Sequence, residues 1–104
     1  MNMIVVFENE KVLELYEADI KECVAKYKFA KHIIEKYRLR ITQLIAAPNL
    51  RTISQIKSLN LEKLKGNRQG QLSIRVDNQF RICFIKHSSN EIAIKILELT
   101  DYHK

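Results

Sequence analysis

The apolar positions of the chain follow two different rhythms. In the first half they recur at helical spacing, and in the last third they alternate or run together as strands do. Met3-Ile4-Val5-Val6-Phe7 is a short run rich in β-branched residues that predicts a first strand. An acidic segment follows, with Val12, Leu13 and Tyr16 on one helical face as far as about Ala18. Asp19 with Glu22 has capping-box spacing, which predicts that a second helical turn starts there. From Phe29 to about Ala47, the residues Ala30, Ile33, Ile34, Tyr37, Ile41, Leu44 and Ile45 form one apolar stripe at i, i+3/i+4, i+7, which predicts a long amphipathic helix. Lys31, Lys36, Arg38 and Arg40 lie mostly off that stripe, and Pro48-Asn49 ends it. Residues 50–58 suggest a short helical turn, and Lys65–Gln71, which holds both glycines, reads as a loop.

Three strands are expected next, at about Gln71–Val76, Phe80–Lys86 and Glu91–Leu99. Side-chain parity selects the turn of the first hairpin. Leu72, Ile74 and Val76 share one face, as do Phe80, Ile82 and Phe84. Directly opposite residues of an antiparallel pair lie on the same side of the sheet. A two-residue loop would therefore put the two apolar sets on opposite faces. A three-residue loop, Asp77-Asn78-Gln79, pairs Val76 with Phe80 and puts both sets in one core. The same register sets Arg75 against Arg81 on the non-core face, where their repulsion would be relieved by an anion. IAIKILEL is almost continuously apolar, as suits an interior strand. The resulting order, β-α-α-β-β-β, predicts an α+β fold of two layers. Two helices pack on one face of a four-stranded, mainly antiparallel sheet, and the other face is open.

A chain of 104 residues with 46% hydrophobic content is expected to form one globular domain over residues 1–104. No apolar run approaches the ~20 residues needed to span a bilayer. The start lacks the positive region of a signal peptide, so a cytoplasmic location away from membranes is expected. Cys23 and Cys83 are isolated, which fits two small buried hydrophobes in a reducing compartment rather than a disulfide framework or a zinc motif. The net charge of +6 is unevenly spread. Residues 1–25 carry two Lys against six Asp and Glu. Residues 26–86 carry fourteen Lys and Arg against three acids, a net of +11. A basic band of this kind is the electrostatic footprint of a polyanion-binding protein, and also of a merely well-solvated surface.

Several chemistries find no support. There is no phosphate-binding glycine loop and no serine in a nucleophile elbow. His32, His87 and His103 are too scattered to suggest a metal site, so neither metal nor organic cofactor is expected. Acid–base cleavage of RNA requires none of these groups. It needs a base for the 2′-OH, cations for the dianionic phosphorane, and an acid for the departing 5′-oxygen. Arg81 offers a planar fork for phosphate and Lys65 a mobile point charge on a glycine-flanked loop. Glu62 or Tyr102 is the candidate base and His103 the candidate acid. Asp101 is expected to hold His103 or Arg81 in place. Lys63, Arg68 and Arg75 are candidate RNA-binding cations. Each residue also has a plainer reading. Arg81 and Glu62 can be partners in ion pairs, Lys65 a solvated loop residue, Tyr102 a packing cap and His103 part of a frayed end.

The segments Leu61-Glu62-Lys63-Leu64-Lys65-Gly66, Ser73-Ile74-Arg75-Val76, Phe80-Arg81-Ile82 and Asp101-Tyr102-His103 occur in an order that resembles a HigB-type toxin of the RelE superfamily (RelE/ParE toxins of type II toxin–antitoxin systems, also called plasmid maintenance killer proteins). The resemblance is dense over residues 59–86 and 99–103. It implies two helices on an antiparallel sheet with the first strand beside the last. It also implies a ribosome-dependent mRNA endonuclease, neutralised by a HigA-like antitoxin with a helix-turn-helix domain. Lys65, Arg81, Asp101, Tyr102 and His103 match positions used by the family's active site. Some members carry His three residues before the lysine, where this chain has Glu62; other superfamily members are similar to this chain in using Glu as the base. The residues alone leave two alternatives open. One is a non-catalytic RNA- or ribosome-binding module, and the other is a RelE-fold relative that inhibits DNA gyrase.

Overall fold

The computed structural model describes residues 2–87 and 92–101. The chain begins with strand β1 (Ile4–Phe7), followed by helices α1 (Glu10–Glu17), α2 (Ile20–Tyr27), α3 (Lys31–Ala46) and α4 (Leu50–Ser54). Strands β2 (Glu62–Lys63), β3 (Leu72–Arg75), β4 (Phe80–Lys86) and β5 (Ala93–Asp101) complete it, with short 3-10 turns at Lys57–Leu59 and Gly66–Arg68.

Local chemistry explains the helix starts. The Asn9 carboxamide accepts from the Val12 amide at 3.1 Å, and the Asp19 carboxylate accepts from the Glu22 amide at 3.1 Å. Each satisfies a donor that the first helical turn leaves unpaired. The spacing seen in the sequence is therefore a real cap, and α2 is a helix of its own. The apolar stripe of α3 buries Ile33, Ile34, Tyr37, Ile41 and Leu44, as its periodicity requires. On α1 the buried residues are Val12 and Leu15, not the expected Val12, Leu13 and Tyr16; Tyr16 instead stacks on Phe7 beside the core.

Polar side chains of α3 fasten the layers. The buried Tyr37 hydroxyl donates to the Val12 carbonyl at 2.7 Å, and burial pushes its pKa far above the ordinary value, so it remains a donor. Arg38 donates to the Leu15 and Ala18 carbonyls at the end of α1. Arg40 donates to the Arg75 and Val76 carbonyls, tying α3 to the β3–β4 hairpin.

Among the described residues the sheet is five-stranded and mixed, in the order β1-β5-β4-β3-β2. β1 runs parallel to β5 and the other pairs are antiparallel. The first strand thus lies beside the last, as expected. The strand absent from the sequence reading is β2, which is only two residues long. The hairpin register follows the parity argument. Val76 donates to the Phe80 carbonyl at 2.9 Å, and Arg75 stands opposite Arg81. Asp77 fixes the turn by accepting from the Gln79 and Phe80 amides at 2.8 and 2.7 Å. Leu72, Ile74, Ile82, Phe84, Ile94, Ile96 and Leu99 face the helices and form the core. A register shift in the β4–β5 pair falls between Cys83 and Phe84, where Cys83 pairs with Glu98 and Phe84 with Ile96. Both cysteines are free and buried. No helix of the described residues is long and apolar enough to cross a membrane.

Candidate functional site

The sheet face away from the helices was expected to be open, and part of it is not. Pairing places Glu62, Ser73, Cys83 and Glu98 in one row across β2, β3, β4 and β5. Ser73 and Cys83 in that row are buried, and so is the neighbouring Arg81. The segment 60–68 covers them. The backbone carbonyl of Asn60 accepts from Arg81, and the Arg68 guanidinium pairs with Glu98 on the far side of the row.

Arg81 is only 4% exposed, which corrects its expected place on an open surface. Its Nε donates to the Ser73 hydroxyl at 2.8 Å, and its Nη2 donates to the carbonyls of Asn60 and Ser73. Its Nη1 lies 3.8 Å from a Glu62 carboxylate oxygen, an ion-pair distance too long for a hydrogen bond. An anion was expected to relieve the Arg75–Arg81 repulsion, and beside Arg81 the protein supplies one itself, the Glu62 carboxylate. The guanidinium is turned toward carbonyls and a carboxylate, which compensate its charge from within the protein. The result is a cation held in one orientation. The Asn60 side-chain amide fixes Glu62 in turn, donating to its carboxylate at 3.0 Å.

Arg81 lines a small cleft of about 320 Å³ together with Ser73, Cys83, Thr100 and Asp101, and Leu64 and Arg68 close one side. Asp101 accepts a hydrogen bond from the Gln79 side chain at 2.8 Å, which anchors the end of β5 to the hairpin turn. Burial pushes the Cys83 thiol pKa up, so it is a poor source of thiolate. The cleft therefore offers a fixed cation, one carboxylate on its wall and another beside it, and two hydroxyls.

Lys65 lies elsewhere. It lines a second, larger cleft of about 790 Å³, with Lys63, Lys86, Ile85 and Leu72. Leu64 borders both clefts. The structure thus brings Arg81 and Asp101 to one cleft, with Glu62 beside Arg81, and Lys63 and Lys65 to the next. Arg68 lines the small cleft while bonded to Glu98 and to the Gln71 side chain. Arg75 is exposed opposite Arg81. Tyr102 and His103 lie outside the described residues.

No family model matches the chain, and no curated protein matches it. Solved structures do. A YoeB/ParE toxin from Agrobacterium tumefaciens aligns over 96% of this chain and 99% of its own, with a TM-score of 0.54 at 16% identity. A mutant of YafQ from E. coli aligns over 97% of this chain and 94% of its own, with a TM-score of 0.59 at 13% identity. The fold is that of the RelE-like toxins. The two-layer architecture expected from the sequence is therefore observed, with four helices among the described residues in place of the expected two and with one additional short strand.

Within this RelE-like fold, sequence reasoning missed Ser73 and Asn60, two residues that help to orient Arg81. A signal for Ser73 was present, because strand parity puts Gln71, Ser73 and Arg75 on the same face as Arg81. For Asn60 there was none. Its role depends on a backbone carbonyl brought over the sheet by the loop after α4, at a separation of 21 residues from Arg81.

Proposed function

We propose that the chain is the toxin of a type II toxin–antitoxin system, of HigB type, acting in the cytoplasm as a metal-independent, ribosome-dependent mRNA endoribonuclease that a HigA-like antitoxin restrains. The whole of residues 1–104 is taken as the toxin domain. The observation that carries the reading is the small cleft. A guanidinium locked by three hydrogen bonds sits there beside Glu62 and Asp101, in a fold shared with known toxins.

In this mechanism Arg81 meets charge as it develops on the scissile phosphate. A donor fixed beforehand needs no reorganisation at the moment of reaction. Glu62, fixed by Asn60 and close to Arg81, takes the proton from the 2′-OH. Tyr102 is the competing base, and His103 returns a proton to the 5′-oxygen. Asp101, bonded to Gln79, positions the end of β5, and Tyr102 and His103 follow it in the sequence. Lys65, across Leu64, neutralises a neighbouring phosphate rather than the reacting one. Attack by the 2′-oxygen leaves a 2′,3′-cyclic phosphate.

One observation favours a second reading, that of a non-catalytic RNA- or ribosome-binding module. Arg81 is bonded to backbone carbonyls, as a purely structural arginine is. Primer extension on transcripts after brief induction separates the two. New 5′ ends inside reading frames are expected. Arrested growth with intact transcripts would overturn the nuclease reading and leave the binding module or the gyrase inhibitor.

A further inference from the structure

We propose that the larger cleft beyond Leu64 is a binding subsite for one nucleobase of the RNA strand, next to the nucleotide whose phosphate meets Arg81. The proposal rests on the nuclease reading and specifies how its substrate is held. The cleft has a rim and a floor of different chemistry. Lys63 and Lys65 stand around it together with Lys86, and no carboxylate among the described residues lines it. Leu64, Leu72 and Ile85 supply apolar surface. A bare phosphate gains from the rim alone. A nucleotide gains from both, with its backbone at the lysines and its base against the aliphatic side chains.

Two further features fit a base rather than charge alone. Gly66 and Gly70, which also line the cleft, have φ of +63° and +93°, and a Cβ built on either would meet no atom within 4 Å. The loop therefore presents bare backbone to open space, where a planar group can approach closely. The exposed Gln69 side chain lines the same space and carries both a donor and an acceptor, the pair needed to read a base edge. The volume, about 790 Å³, lies within the roughly 300–1,000 Å³ usual for small-molecule sites. Continuity gives the occupant its identity. Leu64 is a wall of both clefts, so a single strand crossing it has a phosphate on the Arg81 side and a base on the lysine side.

The test titrates the isotope-labelled full chain with each of the four 5′-mononucleotides and, separately, with inorganic phosphate, following backbone amides by NMR. A parallel assay maps cleavage sites on ribosome-bound mRNA. The amides of Gly66, Gln69 and Gly70 are expected to shift with nucleotides at concentrations where phosphate leaves them unmoved. Ile85→Glu removes apolar surface and adds a negative charge beside an anionic strand, and it is expected to weaken that binding at least about fivefold. Gln69→Ala, at an exposed position, is expected to change which nucleotide is preferred beside the cut. An equal response to phosphate overturns the proposal, because charge alone then explains the cleft. A response to a Glu-rich peptide with none to nucleotides overturns it in favour of a protein partner. Unchanged cleavage preference in both variants, with cutting intact, overturns the subsite and leaves the nuclease standing. Nucleotide shifts that Ile85→Glu abolishes, in a chain that cuts no RNA, support the subsite and sink the nuclease.

Discussion

The two clefts on either side of Leu64 hold their cations in opposite ways. In the small one, Arg81 is buried and held by three donated hydrogen bonds. In the large one, Lys63 and Lys65 are exposed and make no ion pair among the described residues. A fixed guanidinium suits a single geometry, such as a phosphorane. Mobile ammonium groups suit a backbone whose position varies with sequence. The cations of the basic band that flank the two clefts thus differ in how they are held. Arg38, Arg40, Arg68 and Arg81 bond to groups of the protein itself, whereas Lys63 and Lys65 stand exposed at the large cleft.

The largest expected effect tests the fixed side. Arg81→Ala removes the partner of two carbonyls and a hydroxyl. Each buried polar group left unpaired costs about 1–3 kcal/mol. Thermal unfolding should therefore show a Tm lower by on the order of 10 °C for a domain of this size. An unchanged Tm would mean that the guanidinium is not the tie the structure shows. Arg81→Lys keeps the charge but loses the fork, so it should fold better than Arg81→Ala and still cut poorly.

Next comes Glu62. If it is the base, Glu62→Gln should slow single-turnover cleavage about a hundredfold, with Glu62→His keeping part of the activity. Near-normal cutting by Glu62→Gln, together with failure of Tyr102→Phe, would transfer the role to Tyr102. The mobile side should respond more gently. Lys63→Ala with Lys65→Ala should reduce the slope of log affinity against log salt for single-stranded RNA by about 1.4, as for two lost phosphate contacts. A collapse of cleavage at saturating RNA would instead place Lys65 in the chemistry.

The smallest effect concerns the turn that sets the register of Arg81. Burial alone would raise the Asp77 pKa. Hydrogen bonds from the Phe80 and Gln79 amides, with Lys36 and His32 nearby, outweigh it and hold the pKa below the ordinary value of 3.8. The stabilisation from ionised Asp77 is therefore complete above the unfolded value and disappears as pH falls through the lowered folded one. Asp77→Asn keeps an acceptor in the turn. It should lose the charge-dependent part of the stabilisation at neutral pH and so flatten the acid end of the stability–pH curve, as read by urea unfolding across pH.

Much of this was legible in the sequence because periodicity and parity are local. The Asp19–Glu22 spacing gave the cap of α2, the stripe from Ile33 to Leu44 gave α3, and the parity of Val76 and Phe80 gave the hairpin and the Arg75–Arg81 pairing. What escaped lies where distant segments meet. β2 is too short to show alternation. The burial of Arg81 comes from a carbonyl at Asn60 and a pairing of Arg68 with Glu98, neither of which any periodicity encodes. Alternation assigned Arg81 correctly to the face away from the helices, but it carries no information on what folds over that face. The division between Arg81 and Lys65 was hidden for the same reason. Only the position of Leu64 shows that these two cations occupy different clefts.

The most direct test of the fixed cation's role is the single-turnover rate of cleavage of ribosome-bound mRNA by the wild-type chain and by Arg81→Lys, with each protein shown to be folded at the assay temperature. Loss of a preorganised donor to developing charge typically costs about 3–4 kcal/mol. The variant should therefore cut on the order of a hundred- to a thousandfold more slowly, and the wild-type products should end in a 2′,3′-cyclic phosphate. A folded Arg81→Lys chain that cuts at the wild-type rate would contradict the account, leaving Arg81 as a structural tie beneath the segment 60–68.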